Sequence, residues 1–151
     1  MTTTYVSPAD TARLVRKALK AAFPGAAFFV RTSVYSGGAS IDVRWTDGPT
    51  TRVVQRVVNG FEGATFDGMI DLKEYRDTVI NGERVHYGAD FIHCHRSYSE
   101  AMYRVAAERV CGRFGWPVPP ITVIPSIGAR VDTQDFRVQE AVWREVEQTG
   151  A

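Results

Sequence analysis

The tetrapeptide Ser36-Gly37-Gly38-Ala39 separates two stretches that both favour extended backbone, and this leaves the chain little choice but a β-hairpin. Residues 28–35 are rich in aromatic and β-branched side chains. Residues 40–45 alternate, with Ile41, Val43 and Trp45 on one face and Ser40, Asp42 and Arg44 on the other. The glycine pair beside Tyr35 supplies the positive-φ positions a tight reversal needs. Asn81-Gly82 repeats the argument, since Thr78-Val79-Ile80 precedes it and Arg84-Val85-His86-Tyr87 follows. Residues 91–96 read as a further strand, and residues 121–124 as a short one.

Helical periodicity fills the spaces between. Ser7 caps a first helix, Pro8 suits its first turn, and Asp10 holds the capping-box position. Ala12, Val15, Ala18, Leu19 and Ala22 form its apolar face, and Pro24-Gly25 ends it. Arg13, Arg16, Lys17 and Lys20 share the opposite side with no glutamate between them. Asp47-Gly48-Pro49 is expected to start a second helix, with Val53, Val54, Val57, Val58 and Phe61 inward and Arg52 and Arg56 outward. Residues 61–69 read as a loop anchored by Phe61 and Phe66, with Asp67-Gly68 in a turn. Ser97 and Glu100 have capping-box spacing for a third helix, stopped by Gly115 and Pro117. A last amphipathic helix is expected over residues 134–148.

These elements specify an α+β fold: an antiparallel sheet of two β-hairpins plus a further strand, packed against three to four helices. Residues 1–115 are expected to form the domain. Residues 116–151 add a connector, a short strand and a helix packed on it. Hydrophobic residues at 44% and charged residues at 23% exclude a disordered chain or a fibrous rod. No apolar run approaches the ~18 residues of a membrane span, and no basic-then-apolar leader opens the chain. Cys94 and Cys111 are too few for a disulfide scaffold, which points to the cytoplasm. Net charge is +1, but it is unevenly placed. Residues 1–56 hold eight Lys/Arg against three Asp/Glu, while residues 57–151 hold ten against fourteen.

The chemistry-bearing residues form no recognised motif. His86, His93 and His95 cluster in sequence around Cys94, yet strand alternation puts Cys94 on the face opposite His93 and His95. No metal-ligand spacing is present, and neither a metal nor a cofactor is expected. Asp67 and Asp71 bring two carboxylates close together, without the further oxygen ligands of a calcium loop. No nucleophile elbow, phosphate loop or dinucleotide fingerprint occurs, so no catalytic residue is assigned.

Several blocks do carry a resemblance. Leu14-Val15-Arg16-Lys17-Ala18-Leu19-Lys20, Phe23-Pro24-Gly25, Val30-Arg31 and Trp45-Thr46-Asp47-Gly48-Pro49 are similar to the large polyvalent protein-associated domain of the twenty-ninth type. Tyr35-Ser36-Gly37-Gly38-Ala39-Ser40-Ile41-Asp42-Val43 is the most distinctive block, and Phe66-Asp67-Gly68-Met69-Ile70-Asp71 and Gly88-Ala89-Asp90-Phe91-Ile92 extend the match. The resemblance implies a phage or mobile-element setting and brings no established activity and no catalytic residues. The leading expectation is a non-enzymatic binding module that contacts nucleic acid or a nucleic-acid-handling or defence protein. Its contact residues would be Arg13, Arg16, Lys17, Lys20, Arg31, Arg44, Arg52 and Arg56. An acidic protein is the alternative partner for that basic surface, and no membrane is expected. The other readings are a small enzyme using Asp67/Asp71 and His93/His95, and a structural or oligomerising domain.

Overall fold

A computed structural model describes residues 2–124 and 128–150. Among these residues lie ten strands and four helices, an α+β architecture. They divide into two compact units, one of residues 1–44 and 52–95 and one of residues 45–51 and 96–151.

In the first unit, α1 (Pro8–Ala22) is capped as its sequence dictates, with the Ser7 side chain accepting from the Asp10 N–H. It buries Ala12, Val15 and Leu19 and packs on β2. The hairpin of β2 (Phe29–Tyr35) and β3 (Gly38–Thr46) pairs Arg31 with Asp42 and Thr32 with Ile41. Its inner face buries Val30, Ile41 and Val43, and β8 (Phe91–Ser97) lies along the other edge of β3. α2 (Thr51–Val58) begins past the Asp47-Gly48-Pro49 turn rather than at it, and buries Val54 and Val58. Asp47 and Gly48 both hold positive φ, 56° and 58°, which a helical start forbids.

The second expected hairpin, β6 (Thr78–Ile80) and β7 (Glu83–Tyr87), turns at Asn81 and Gly82, both at positive φ. It belongs to a separate small sheet, where β1 (Thr3–Val6) pairs with β7 in parallel. The two hairpins therefore do not share one sheet. The stretch expected as an anchored loop forms a third hairpin, β4 (Ala64–Asp67) with β5 (Leu72–Tyr75). Phe61 packs edge-on to Tyr87, 5.5 Å between ring centres, but Phe66 is exposed and anchors nothing.

The second unit is built on α3 (Glu100–Phe114) and α4 (Phe136–Gln148), with the hairpin of β9 (Ile121–Ile124) and β10 (Gly128–Val131). Its core gathers Tyr103, Ala107, Val110 and Cys111 of α3 with Val138, Val142 and Val146 of α4. Ser99, not Ser97, caps α3 through the Met102 N–H, because Ser97 is still in β8. Gly115 at φ 68° stops the helix. No helix among the described residues is long and apolar enough to cross a membrane.

Candidate functional site

The glycine pair of the first hairpin lies against a buried carboxylate. Gly37 carries the positive φ of the turn, 91°. Gly38 does not, and a different constraint holds it. A Cβ there would fall 1.9 Å from Asp90 Oδ2. Asp90 is buried, with its side chain 5% exposed, and its Oδ2 accepts from Lys73 Nζ at 2.7 Å. Lys73 also donates to the Gly37 carbonyl at 3.1 Å. The Asp90 hydrogen bond, opposed by burial, holds Lys73 above the usual lysine value. The Tyr-Ser-Gly-Gly-Ala-Ser block thus keeps its second glycine to admit a buried carboxylate.

Lys73 is also the middle of a surface ladder of rings. Tyr5 stacks on His86 with ring centres 6.0 Å apart, and His86 meets the edge of Tyr75 at 6.1 Å. Lys73 Nζ lies 5.0 Å from the centre of Tyr75 and 5.9 Å from that of Phe91. Phe91 stacks with His93 at 6.4 Å. Tyr5 and Tyr75 are 62% and 67% exposed. The Asp77 carboxylate fixes His86 through Nδ1 at 3.0 Å. Sequence reasoning singled out His86 and His93 but missed Tyr5, Tyr75 and Phe91. Strand β1 was too short to read, and Tyr75 stands at the edge of an unrecognised hairpin.

The outer face of the β2–β3–β8 sheet adjoins the His93 end of the ladder. His93 and His95 share a face of β8, and His95 Nε2 lies 3.5 Å from Asp42 Oδ1. Asp42 stands opposite Arg31, and Arg44 opposite Phe29, so Arg31, Arg44 and the exposed Phe29 and Tyr35 all line this face. Cys94 points the other way. Burial, then the nearby Glu62, push its thiol up to about 11.

The basic helix face is divided in two. Arg13 pairs with Asp10 at 3.0 Å, and Arg16 Nη2 donates to the Val30 carbonyl of β2 at 2.9 Å. Lys17 and Lys20 are exposed and have no ionic partner among the described residues. The same holds for Arg31, Arg44, Arg52 and Arg56. The acidic turn is local, since Asp67 Oδ1 accepts from the Met69 N–H at 2.9 Å, and Asp71 holds a positive φ of 51°. No group of three or more His, Cys, Asp or Glu among the described residues is arranged to hold a metal.

In the second unit the Asp47-Gly48-Pro49 turn is a fastening. Arg96 donates to the Asp47 and Gly48 carbonyls, each at 2.8 Å, and to the carbonyls of Val146, Glu147 and Thr149 at the end of α4. Asp47 Oδ1 accepts from the Ser99 N–H, and the Pro49 carbonyl accepts from Trp45 Nε1. Tyr98 donates to Glu147, and burial followed by that bond holds its hydroxyl well above the usual tyrosine value.

Compared with known proteins, residues 6–99 match the family model described as Large polyvalent protein associated domain 29. No curated protein and no solved structure matches. The matched residues contain the Gly37-Gly38 turn, Lys73, Asp90 and every ring of the ladder except Tyr5.

Proposed function

The chain belongs to the large polyvalent protein associated domain 29 family, and from that premise we propose that it is a non-enzymatic binding module of a phage or other mobile element, acting on nucleic acid in the cytoplasm. One observation carries this reading. Lys17, Lys20, Arg31, Arg44, Arg52 and Arg56 are exposed and form no ion pair among the described residues, and all lie within the first fifty-six residues. A folded chain gains little from exposed cations that pair with nothing. A phosphate backbone gains from each of them through counterion release. Arg13 and Arg16 are engaged internally by Asp10 and the Val30 carbonyl, so they stand behind the other six as contact residues.

The test is a fluorescence-anisotropy titration of the whole chain with labelled duplex DNA, single-stranded DNA and RNA at low salt. Binding is expected, with log affinity on duplex falling by about 0.9 per phosphate contact against log salt. Failure to bind any of the three at about 100 μM, the weak end of non-specific affinity, overturns the reading in favour of an acidic protein partner.

A further inference from the structure

We infer that the ring ladder of Tyr5, His86, Tyr75, Phe91 and His93 receives unpaired bases, so that the ligand of the proposed binding surface is single-stranded nucleic acid. This inference rests on the nucleic-acid reading above and narrows it.

Duplex bases present only their edges to a protein, because their faces are stacked on one another. A strand that leaves its bases unpaired offers faces, and exposed aromatic side chains on a sheet receive them. Three rings in contact, Tyr5, His86 and Tyr75, and two more, Phe91 and His93, are joined through Lys73, with spacings of 6.0 to 6.4 Å where ring meets ring, and none belongs to the buried core. The two most exposed, Tyr5 and Tyr75, would gain most from being covered. The ladder is also poorly suited to phosphates. Asp90 neutralises Lys73, its one cation, and Asp77 sits against His86. Phosphates have Arg31 and Arg44 instead, on the sheet face that His93 shares through its neighbour His95 and Asp42. Rings and free cations are thus separated along one surface, as a strand with bases on one side and phosphates on the other requires.

That separation gives the experiment its arms. Full-length protein is titrated with a mixed-sequence DNA strand, the RNA of the same sequence, the duplex, and an abasic strand that keeps the phosphates but lacks the bases. Stacking is worth a factor of about 5 to 150 per base, so the mixed strand should bind at least about 5-fold tighter than the abasic one. The Tyr75→Ala variant should close most of that gap on DNA, on RNA or on both, and leave abasic and duplex affinity and the salt dependence unchanged. Tyr75→Phe should restore the gap, since the ring is retained. Equal affinity of the wild-type chain for the mixed and abasic strands overturns the ladder inference and leaves the nucleic-acid reading standing. So does a Tyr75→Ala loss that falls equally on the duplex. No binding to any of the four sinks the underlying reading instead.

Discussion

The two units differ in how many of their cations they hold internally: in the first, Arg13, Arg16, Lys73, Arg76 and Arg84 are engaged and the rest are left open among the described residues. In the second unit Arg104 pairs with Glu100, Arg109 and Arg113 with Glu145, Arg137 with Asp135 and Arg144 with Glu140. Arg96 is held by five backbone carbonyls and lies 5.1 Å from the ring of Tyr98. Only Arg130, beside the groove of about 430 Å³ lined by Tyr103, Phe136 and Trp143, lacks a partner among the described residues. In the first unit, by contrast, six cations between Lys17 and Arg56 are exposed and form no ion pair among the described residues. Charge that is satisfied internally serves the fold, and under the proposed function the open charge is what a partner would use. The family match, residues 6–99, takes in all six open cations and, of the second unit's arginines, only Arg96.

The largest expected effect tests what holds the open unit together. Gly38→Ala places a Cβ on the buried Asp90 carboxylate and displaces it from the part-exposed Lys73, and should be the most destabilising of these variants. Gly37→Ala meets nothing within 4 Å and is strained only by its positive φ, so it should cost about 1 kcal/mol. Urea denaturation of both variants separates the two causes. Equal losses would show that the pair is held by turn geometry alone.

The paired unit has its own fastening, and the next effect is somewhat smaller. Arg96→Leu leaves the carbonyls of Asp47, Gly48 and Thr149 without their charged donor, at a cost of about 2–3 kcal/mol. Arg96→Lys should recover little of this, because a point ammonium cannot reach a fan of acceptors as a planar guanidinium does. Full recovery by lysine in thermal melts would show that charge, rather than the fork of donors, is what the turn needs.

What could be read in the sequence follows from how local each signal is. The α1 cap, the Asn81-Gly82 turn and the Gly115 stop depend on neighbours within a few residues, and each stands where its chemistry puts it. β1 is only Thr3–Val6, and its pairing with β7 lies some eighty residues away, so no periodicity announces it. The β4–β5 turn takes its positive φ at Asp71 and not at Gly68, so its sequence reads as a loop and not as a hairpin. The reason for Gly38 was legible only as a turn. The buried carboxylate that needs it lies at Asp90, fifty-two positions on. The ladder was hidden for the same reason, since its rings come from β1, β5, β7 and β8.

The smallest expected effect draws the line between the two uses of charge within a single helix. Arg16 and Lys17 are neighbours, and the sequence assigns them to one basic face. Arg16 donates to the Val30 carbonyl on β2, whereas Lys17 and Lys20 make no hydrogen bond or ion pair among the described residues. Losing a charged donor to a backbone carbonyl costs about 1.5 kcal/mol, so Arg16→Gln should lower the unfolding free energy by roughly that much. Lys17→Gln and Lys20→Gln together should change it by less than about 0.5 kcal/mol, as exposed substitutions without contacts do. Their effect belongs to binding. If both lysines meet phosphates, the double variant should reduce the salt slope on duplex DNA by about 1.8. Arg16→Gln should leave that slope nearly intact once its stability loss is allowed for. A double lysine variant that keeps the full slope would move the phosphate contacts off α1 and onto Arg31, Arg44, Arg52 and Arg56, the remaining open cations of the same unit.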